Sequence, residues 1–225
     1  MSWMKGLDEA RLYGFVDTGY LQGRPAAEVA GHLCAGGADV VQLRAKDRSK
    51  QEVTRLAREI LPVTRAAGVP LVVNDHLDVA LEVGADICHL GQEDFFDAGF
   101  THVSQLPTGG RAIRLGLSSH APEQARRAVA AGADYVAIGP AFPTPTKPGR
   151  PAVTLEYVRW AAAHIAMPWF AIGGIHLGNL DQVLAAGARR ICVVSAILGT
   201  ADVAGACQAF RQRLGSAPLR SESGG

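Results

Sequence analysis

Apolar runs recur along the chain at an even interval, and most are introduced by one short phrase. Ala35-Gly-Gly-Ala-Asp-Val40, Val83-Gly-Ala-Asp-Ile87, Ala131-Gly-Ala-Asp-Tyr135 and Ala186-Gly-Ala-Arg-Arg-Ile191 are variants of it, and Ala66-Ala-Gly-Val-Pro-Leu71 is a looser copy. In each, a helical pattern stops at Gly, which accepts the left-handed conformation that closes a helix. A polar link then leads into a β-rich apolar run. Helix followed by buried strand, repeated, is the pattern of parallel βα units. The runs predict eight strands, centred on residues 12–16, 40–43, 71–74, 87–90, 114–118, 135–138, 169–172 and 191–194. Amphipathic stretches predict helices over 51–65, 122–131, 155–163 and 177–186. Pro25 and Pro122 suit first helical positions, and Thr154 suits a cap. Eight such units in 225 residues fit a single (β/α)8 TIM barrel, an α/β fold. A doubly wound open sheet is the alternative, but it does not call for eight evenly spaced repeats. Residues 1–215 read as one catalytic barrel domain, and 216–225, which lack a core-forming pattern, as a disordered tail.

Polar residues gather where the apolar runs end. The second run starts Val40-Val41 and then sets Gln42, Arg44 and Lys46 at alternate positions, which share one face of a strand. An amide and two cations there make an anion pocket with a hydrogen-bonding wall; the plainer reading is a strand fraying into a solvated basic turn. The third run ends in Asn74-Asp75 and the fourth in His89-Leu-Gly-Gln-Glu-Asp94. The fifth ends in Ser118-Ser-His120, the seventh in Gly173-Gly174 and the eighth at Ser195. The opposite ends carry little beyond the Gly-Ala-Asp links. Since barrel active sites lie at the carboxyl ends of the strands, this one-sidedness points to an enzyme.

Composition removes several rivals. Hydrophobic residues make up 48% and charged residues 19%, which suits one globular domain, and the net charge of +1 leaves no basic surface for nucleic acid. No run is long enough for a membrane span, and Met1-Ser-Trp-Met-Lys-Gly lacks a signal core, so the chain is expected in the cytoplasm. Cys34, Cys88, Cys192 and Cys207 lie far apart and read as free thiols.

Asp75 and Asp94, near several cations, suggest a Mg²⁺ ion shared with a phosphate ligand. The plainer use of each is to start a helix. A zinc site built from His76, His89 or His120 lacks the compact spacing that zinc needs. Gly173-Gly174 and Ser195 fall where barrels often hold a phosphate, although a tight turn alone also asks for Gly. Residues 140–151, with Phe142, Thr144, Thr146 and Lys147, read as a stiff lid loop; a rigid connector with solvated Lys147 and Arg150 is the alternative.

With these segments in view, the sequence closely resembles the thiamine phosphate synthase (thiamine-phosphate pyrophosphorylase) family from about Leu12 to about Leu214. The motifs that carry the resemblance are Gln42-Leu-Arg-Ala-Lys46, Asn74-Asp75, His89-Leu-Gly-Gln-Glu-Asp94, Gly116-Leu-Ser118, Gly139-Pro-Ala-Phe-Pro-Thr-Pro-Thr-Lys147, Ala171-Ile-Gly-Gly-Ile175 and Val193-Val-Ser-Ala-Ile197. The resemblance implies a transferase with two small phosphorylated substrates, an aminopyrimidine methyl diphosphate and a thiazole phosphate, carboxylated or not. It joins them with Mg²⁺ and releases pyrophosphate. It further implies that Gln42 holds the pyrimidine, that Arg44, Lys46, Asn74, Ser118 and Lys147 hold the diphosphate, and that Asp75 and Asp94 hold the metal. Thr144, Thr146, Gly174, Val194 and Ser195 line the thiazole phosphate site, and Arg44, Lys46, Ser118 and Lys147 act in catalysis. The sequence departs from the family pattern at His76, where Arg is usual, at Ile87-Cys88 for Gly-Val, and at Thr154, where Gly is common. The segment 95–110 is longer and richer in Gly than usual. Two rivals stand beside this reading: a thiazole tautomerase using a base such as His120, and a non-catalytic sensor of a thiamine precursor. The diphosphate set speaks against the first, and the full set of ligands against the second.

Overall fold

In the computed structural model, which describes residues 6–143 and 154–215, eight parallel strands close into a barrel in sequence order. They are β1 (Leu12–Asp17), β2 (Val40–Arg44), β3 (Leu71–Asn74), β4 (Ile87–Leu90), β5 (Arg114–Ser119), β6 (Tyr135–Ile138), β7 (Trp169–Ala171) and β8 (Ile191–Cys192). Around them run α1 (Ala26–Ala35), α2 (Lys50–Ala66), α3 (Leu77–Val83), α4 (Gln92–Phe95), α5 (Pro122–Ala130), α6 (Thr154–His164), α7 (Leu180–Ala185), α8 (Ser195–Leu198) and α9 (Val203–Gly215). The expected TIM barrel is the observed fold. Its strands are covered on both faces, which is why they read as unbroken apolar runs: Val40, Val41, Leu71, Val72, Val73, Ile87 and Val136 are wholly buried.

The helix starts follow local chemistry. Ser49 and Glu52 form a reciprocal capping box on α2, and Pro122 opens α5. Thr154 begins α6 with φ of 65°, and its hydroxyl accepts from the Glu156 N–H at 3.3 Å, so it caps despite a conformation that favours Gly. Three boundaries differ from expectation. Pro25 stands one residue before α1 rather than within it. β8 stops at Cys192, because Val194 leaves the extended region (ψ −85°) to start α8. α7 begins at Leu180 rather than 177, because residues 176–179 are tied into a turn in which the His176 N–H donates to Asn179 Oδ1. Residues 216–225 lie outside the described residues, as does most of the expected lid, including Thr144, Thr146, Lys147 and Arg150. Among the described residues no helix is long and apolar enough to cross a membrane.

The repeated Gly-Ala-Asp phrase proves to be a clamp at the amino-terminal end of the barrel. Asp39 Oδ2 accepts from the N–H groups of Arg11 and Leu12, Asp86 Oδ2 from Leu71 and Asp134 Oδ2 from Leu115. In return the N–H of Asp39, Asp86 and Asp134 donates to Leu12, Leu71 and Leu115. Each Asp thus satisfies an N–H in the first two residues of the strand before its own, a group that would otherwise lack an acceptor at the barrel's edge. The fourth copy has Arg190 instead, whose guanidinium donates to the carbonyls of Leu7 and Asp8 and ties down the chain entering β1. Asp39 carries the most, since it also accepts from Arg211 at 2.7 Å and is 2% exposed. Asp39→Ala leaves buried donors without an acceptor. It is expected to lower the unfolding free energy by about 3 kcal/mol in a urea titration, with substrate KM unchanged because the site lies at the other end.

Candidate active site

The carboxyl ends of the strands open onto one cavity of about 540 Å³, a volume suited to small ligands. β2 sends Gln42 and Arg44 into it and the turn beyond sends Lys46; β3 sends Asn74, and Asp75 follows directly after the strand. Asp94 enters from the turn after β4, Ser118 from β5, and Gly174, Val194 and Ser195 from the segments after β7 and β8. Every expected site residue among those described therefore lines the same cavity. The registers explain the crowding: Asn74 lies beside His89, and Asp17 beside Arg44.

Gln42 and Arg44 share a face of β2, whereas Lys46, expected on the same strand face, lies in the turn beyond the strand's end, and the three differ in depth. Arg44 Nη1 donates to Asp17 Oδ2 at 2.6 Å in a pair almost closed to solvent, with the other Asp17 oxygen accepting from the Gly19 N–H. The guanidinium is therefore fixed before any ligand arrives. Gln42, 3% exposed, donates from Nε2 to the Tyr13 hydroxyl at 2.7 Å. Lys46 is half exposed at the rim, its Nζ 3.6 Å from Asp75 Oδ2.

Asp75 and Asp94 come together although β3 and the α4 turn deliver them separately. Burial pushes the Asp75 carboxyl above its usual range; Lys46 pulls it back, while the adjacent Asp94, to which it hydrogen-bonds, raises it again. Asp75 is no helix cap: α3 has no side-chain cap, and Asp75 itself sits at φ 64°. Asp94 does start a helix, since its Oδ2 accepts from the Gly91 N–H at 3.1 Å and closes the start of α4. The longer segment 95–110 leaves this geometry intact by packing outward, with Phe95 buried against Phe96 and Phe100 and Arg127 over the Phe96 ring.

The glycine pair serves the protein as well as any ligand. Gly173 (φ 102°) and Gly174 (φ 61°) lie so close to the segment after β6 that a Cβ would stand 2.3 Å from Pro140 and 2.6 Å from the Pro143 carbonyl oxygen. Asn179 Nδ2 holds the Gly174 carbonyl at 2.9 Å. His120, the residue considered above as a base, bonds through Nδ1 to the Gly139 carbonyl at 2.5 Å. That bond fixes its ring on the β6 segment, as its structural reading expects.

Sequence reasoning missed the floor of the cavity. Tyr13 and Tyr135 sit inside apolar runs and His89 read only as the start of a motif, yet the three join Gln42 to Ser118 through unbroken hydrogen bonds. A signal was present in Gly116, which lies between His89 and Tyr135 in the sheet. A Cβ there would stand 2.1 Å from the Tyr135 ring, so only Gly lets that ring cross to His89. Arg24 was also missed; it donates to the carbonyls of Leu198 and Thr200 and anchors the end of α8, the short helix that Ser195 begins.

The family pattern described as thiamine monophosphate synthase matches residues 12–197. The chain belongs to the thiamine monophosphate synthase family. It is thus an enzyme, a transferase of thiamine biosynthesis. It is 52% identical over 184 residues to a thiamine-phosphate synthase of Thermus thermophilus, covering 80% of this chain and 84% of that one. It is 45% identical over 219 residues to the thiamine-phosphate synthase of Acidothermus cellulolyticus, covering 94% and 98%. Among solved structures, the thiamine phosphate pyrophosphorylase of Pyrococcus furiosus superposes with a TM-score of 0.80 at 28% identity, over 94% of this chain and 98% of that one. Two departures from the family pattern now have a place in the structure. His76 lowers the Asp75 pKa in the same direction as Lys46, and Thr154 occupies a left-handed position, which explains why Gly is common there.

Proposed function

We propose that this cavity joins an aminopyrimidine methyl diphosphate to a thiazole phosphate, giving thiamine phosphate and pyrophosphate. The observation that carries the reading is the pairing, in one cavity, of a cationic and carboxylate end with a glycine and serine end. The first suits a diphosphate with its metal, the second a monophosphate. Asp75 and Asp94 fit a hard divalent cation: Asp75 is a desolvated carboxylate in contact with the exposed Asp94, an arrangement that a cation relieves. No group of three or more His, Cys, Asp or Glu side chains stands together among the described residues, so the remaining ligands would be oxygens of substrate or water, as Mg²⁺ prefers. When bound, Mg²⁺ would neutralise charge on the departing pyrophosphate.

The chain's own residues then have distinct tasks. Arg44, preset by Asp17, and Lys46 at the rim face the diphosphate and meet the negative charge that grows as the C–O bond breaks. Ser118 donates a hydrogen bond to the same group, and Asn74 completes that wall. The bonding pair leaves with pyrophosphate, and the aminopyrimidine's amino group delocalises the positive charge on the methylene. The thiazole nitrogen, held by its phosphate near Gly174, Val194 and Ser195, supplies its lone pair to form the new C–N bond. No side-chain nucleophile or base is required, so the protein's contribution is alignment and electrostatics. The family resemblance assigns Thr144 and Thr146 to the thiazole phosphate and Lys147 to the diphosphate; all three lie outside the described residues.

Chelation is expected to abolish turnover and added Mg²⁺ to restore it; full activity in excess chelator would remove the metal from this account. A tautomerase would act on a carboxylated thiazole phosphate alone. Incubating that compound without the pyrimidine and following proton exchange is expected to show no change, and rapid isomerisation would favour the rival.

A further inference from the structure

Under the cavity, five side chains form a continuous hydrogen-bonded chain across the barrel. Gln42 Nε2 donates to Tyr13 Oη at 2.7 Å, Tyr13 Oη lies 3.0 Å from Tyr135 Oη, Tyr135 Oη lies 3.0 Å from His89 Nδ1, and His89 Nε2 lies 2.9 Å from Ser118 Oγ. All five are buried, from 0% exposed at Tyr135 to 8% at His89. Tyr13 and Tyr135 also pack on Phe170, and Gly116 keeps the space that Tyr135 needs. The barrel therefore holds the geometry without help from a ligand.

A chain of hydroxyls and one imidazole has two directions, and each hydroxyl has one proton to give. Tyr13 accepts from Gln42, so its own proton goes to Tyr135. Tyr135 then donates to His89 Nδ1, which must be bare, and the imidazole proton sits on Nε2 and is given to Ser118. The Ser118 proton is left for the cavity, and so is the Gln42 carbonyl oxygen, which has no partner among the described residues. In the reverse direction Gln42 would offer its NH₂ to the cavity, and the Ser118 proton would be spent on His89. Burial pushes both phenols well above their usual pKa, so both keep the proton that the chain needs.

We propose that Gln42, Tyr13, Tyr135, His89 and Ser118 form one polarised relay that makes Gln42 an acceptor and Ser118 a donor toward the ligand, with His89 held as the neutral Nε2–H tautomer. Tyr13, Tyr135 and His89 are positioning residues; they act through the two ends. The ligand assignment rests on the function proposed above. A diphosphate has only acceptors and needs the Ser118 proton, while an aminopyrimidine's amino group is a donor and needs the Gln42 oxygen. A single direction of the relay serves both the amino group and the diphosphate of one substrate; in the other direction Gln42 could meet only a ring nitrogen of the pyrimidine, and Ser118 would have no proton for the diphosphate. The polarity itself is a property of the free protein.

Two-bond ¹H–¹⁵N correlation on protein labelled at histidine reads it directly, with the His89 signals identified by their loss in His89→Gln. The expected result is the Nε2–H tautomer in the wild type. Gln42→Glu removes the donor and forces Tyr13 to give its proton outward, so His89 should invert to Nδ1–H. Tyr13→Phe cuts the relay while keeping the ring. It should leave His89 as a mixture of tautomers and raise KM for the pyrimidine diphosphate about tenfold with KM for the thiazole phosphate unchanged, and it serves if Gln42→Glu does not fold. Nδ1–H in the wild type, or a tautomer indifferent to both substitutions, would overturn the relay. The expected tautomers in a protein without synthase activity would sink the proposed function and leave the relay standing.

Discussion

Asp94→Asn is expected to cut kcat/KM by about a hundredfold or more, the scale seen when one group that meets developing charge is removed, while the barrel stays folded. The asparagine keeps a side-chain oxygen for the Gly91 N–H that Asp94 now accepts, so the start of α4 should survive. It also removes a negative charge from beside Asp75, whose carboxyl is raised first by burial and further by Asp94. The Asp75 pKa should therefore move down toward the ordinary range. A raised carboxyl pKa favours the folded state below the unfolded value, and that advantage is lost as pH rises through the folded value. Relieving it should leave the variant no less stable than the wild type near neutral pH. Loss of rate with retained stability, together with a raised requirement for Mg²⁺, is what a metal ligand predicts. Equal activity at limiting Mg²⁺, or a variant that unfolds, would return Asp94 to the role of a helix-starting residue alone.

Lys46→Met is expected to lower kcat and kcat/KM together, again by about a hundredfold. Its ammonium stands at the cavity rim, half exposed, so its removal should change stability by no more than about 0.5 kcal/mol. If Lys46 met only the ground state, KM would rise alone. Lys46→Arg is not expected to rescue the rate, because a planar fork replaces a compact charge at a position already facing Asp75. Arg44 makes the contrast. Arg44→Met strips the partner from Asp17, whose side chain is 4% exposed, and should cost about 3–5 kcal/mol of stability as well as activity. Two cations two positions apart, one ending β2 and one in the turn beyond it, thus divide cleanly: Arg44 supports the fold and the site, Lys46 the site alone. Unchanged kinetics in Lys46→Met would remove it from the diphosphate site.

The barrel was legible because both faces of its strands are buried, so each strand is an unbroken apolar run set off by the Gly-Ala-Asp phrase. The site's rim was legible because charged residues in such a sheet gather at strand ends, and Gln42 and Arg44 keep the alternation of a strand that Lys46 leaves for the turn. The floor was hidden for the same reason. Tyr13 and Tyr135 stand 122 positions apart in runs that look apolar, and their hydroxyls find each other only when the sheet closes. His89 read as part of a motif, and nothing nearby in sequence names Ser118 as its partner. The Asp residues of the repeated phrase read as links because their acceptors serve the preceding strand, one whole helix earlier in the chain. The short β8 was also out of reach, since Val193 and Val194 favour a strand and only the turn into α8 overrides them.

The most direct test of the central claim is to mix the purified protein with the aminopyrimidine methyl diphosphate, the thiazole phosphate and Mg²⁺, and to quantify both products by mass spectrometry. Thiamine phosphate and pyrophosphate are expected in equal amounts, with neither formed when one substrate is left out. Pyrophosphate released without thiamine phosphate, or no product from a folded protein that binds both substrates, would contradict the account.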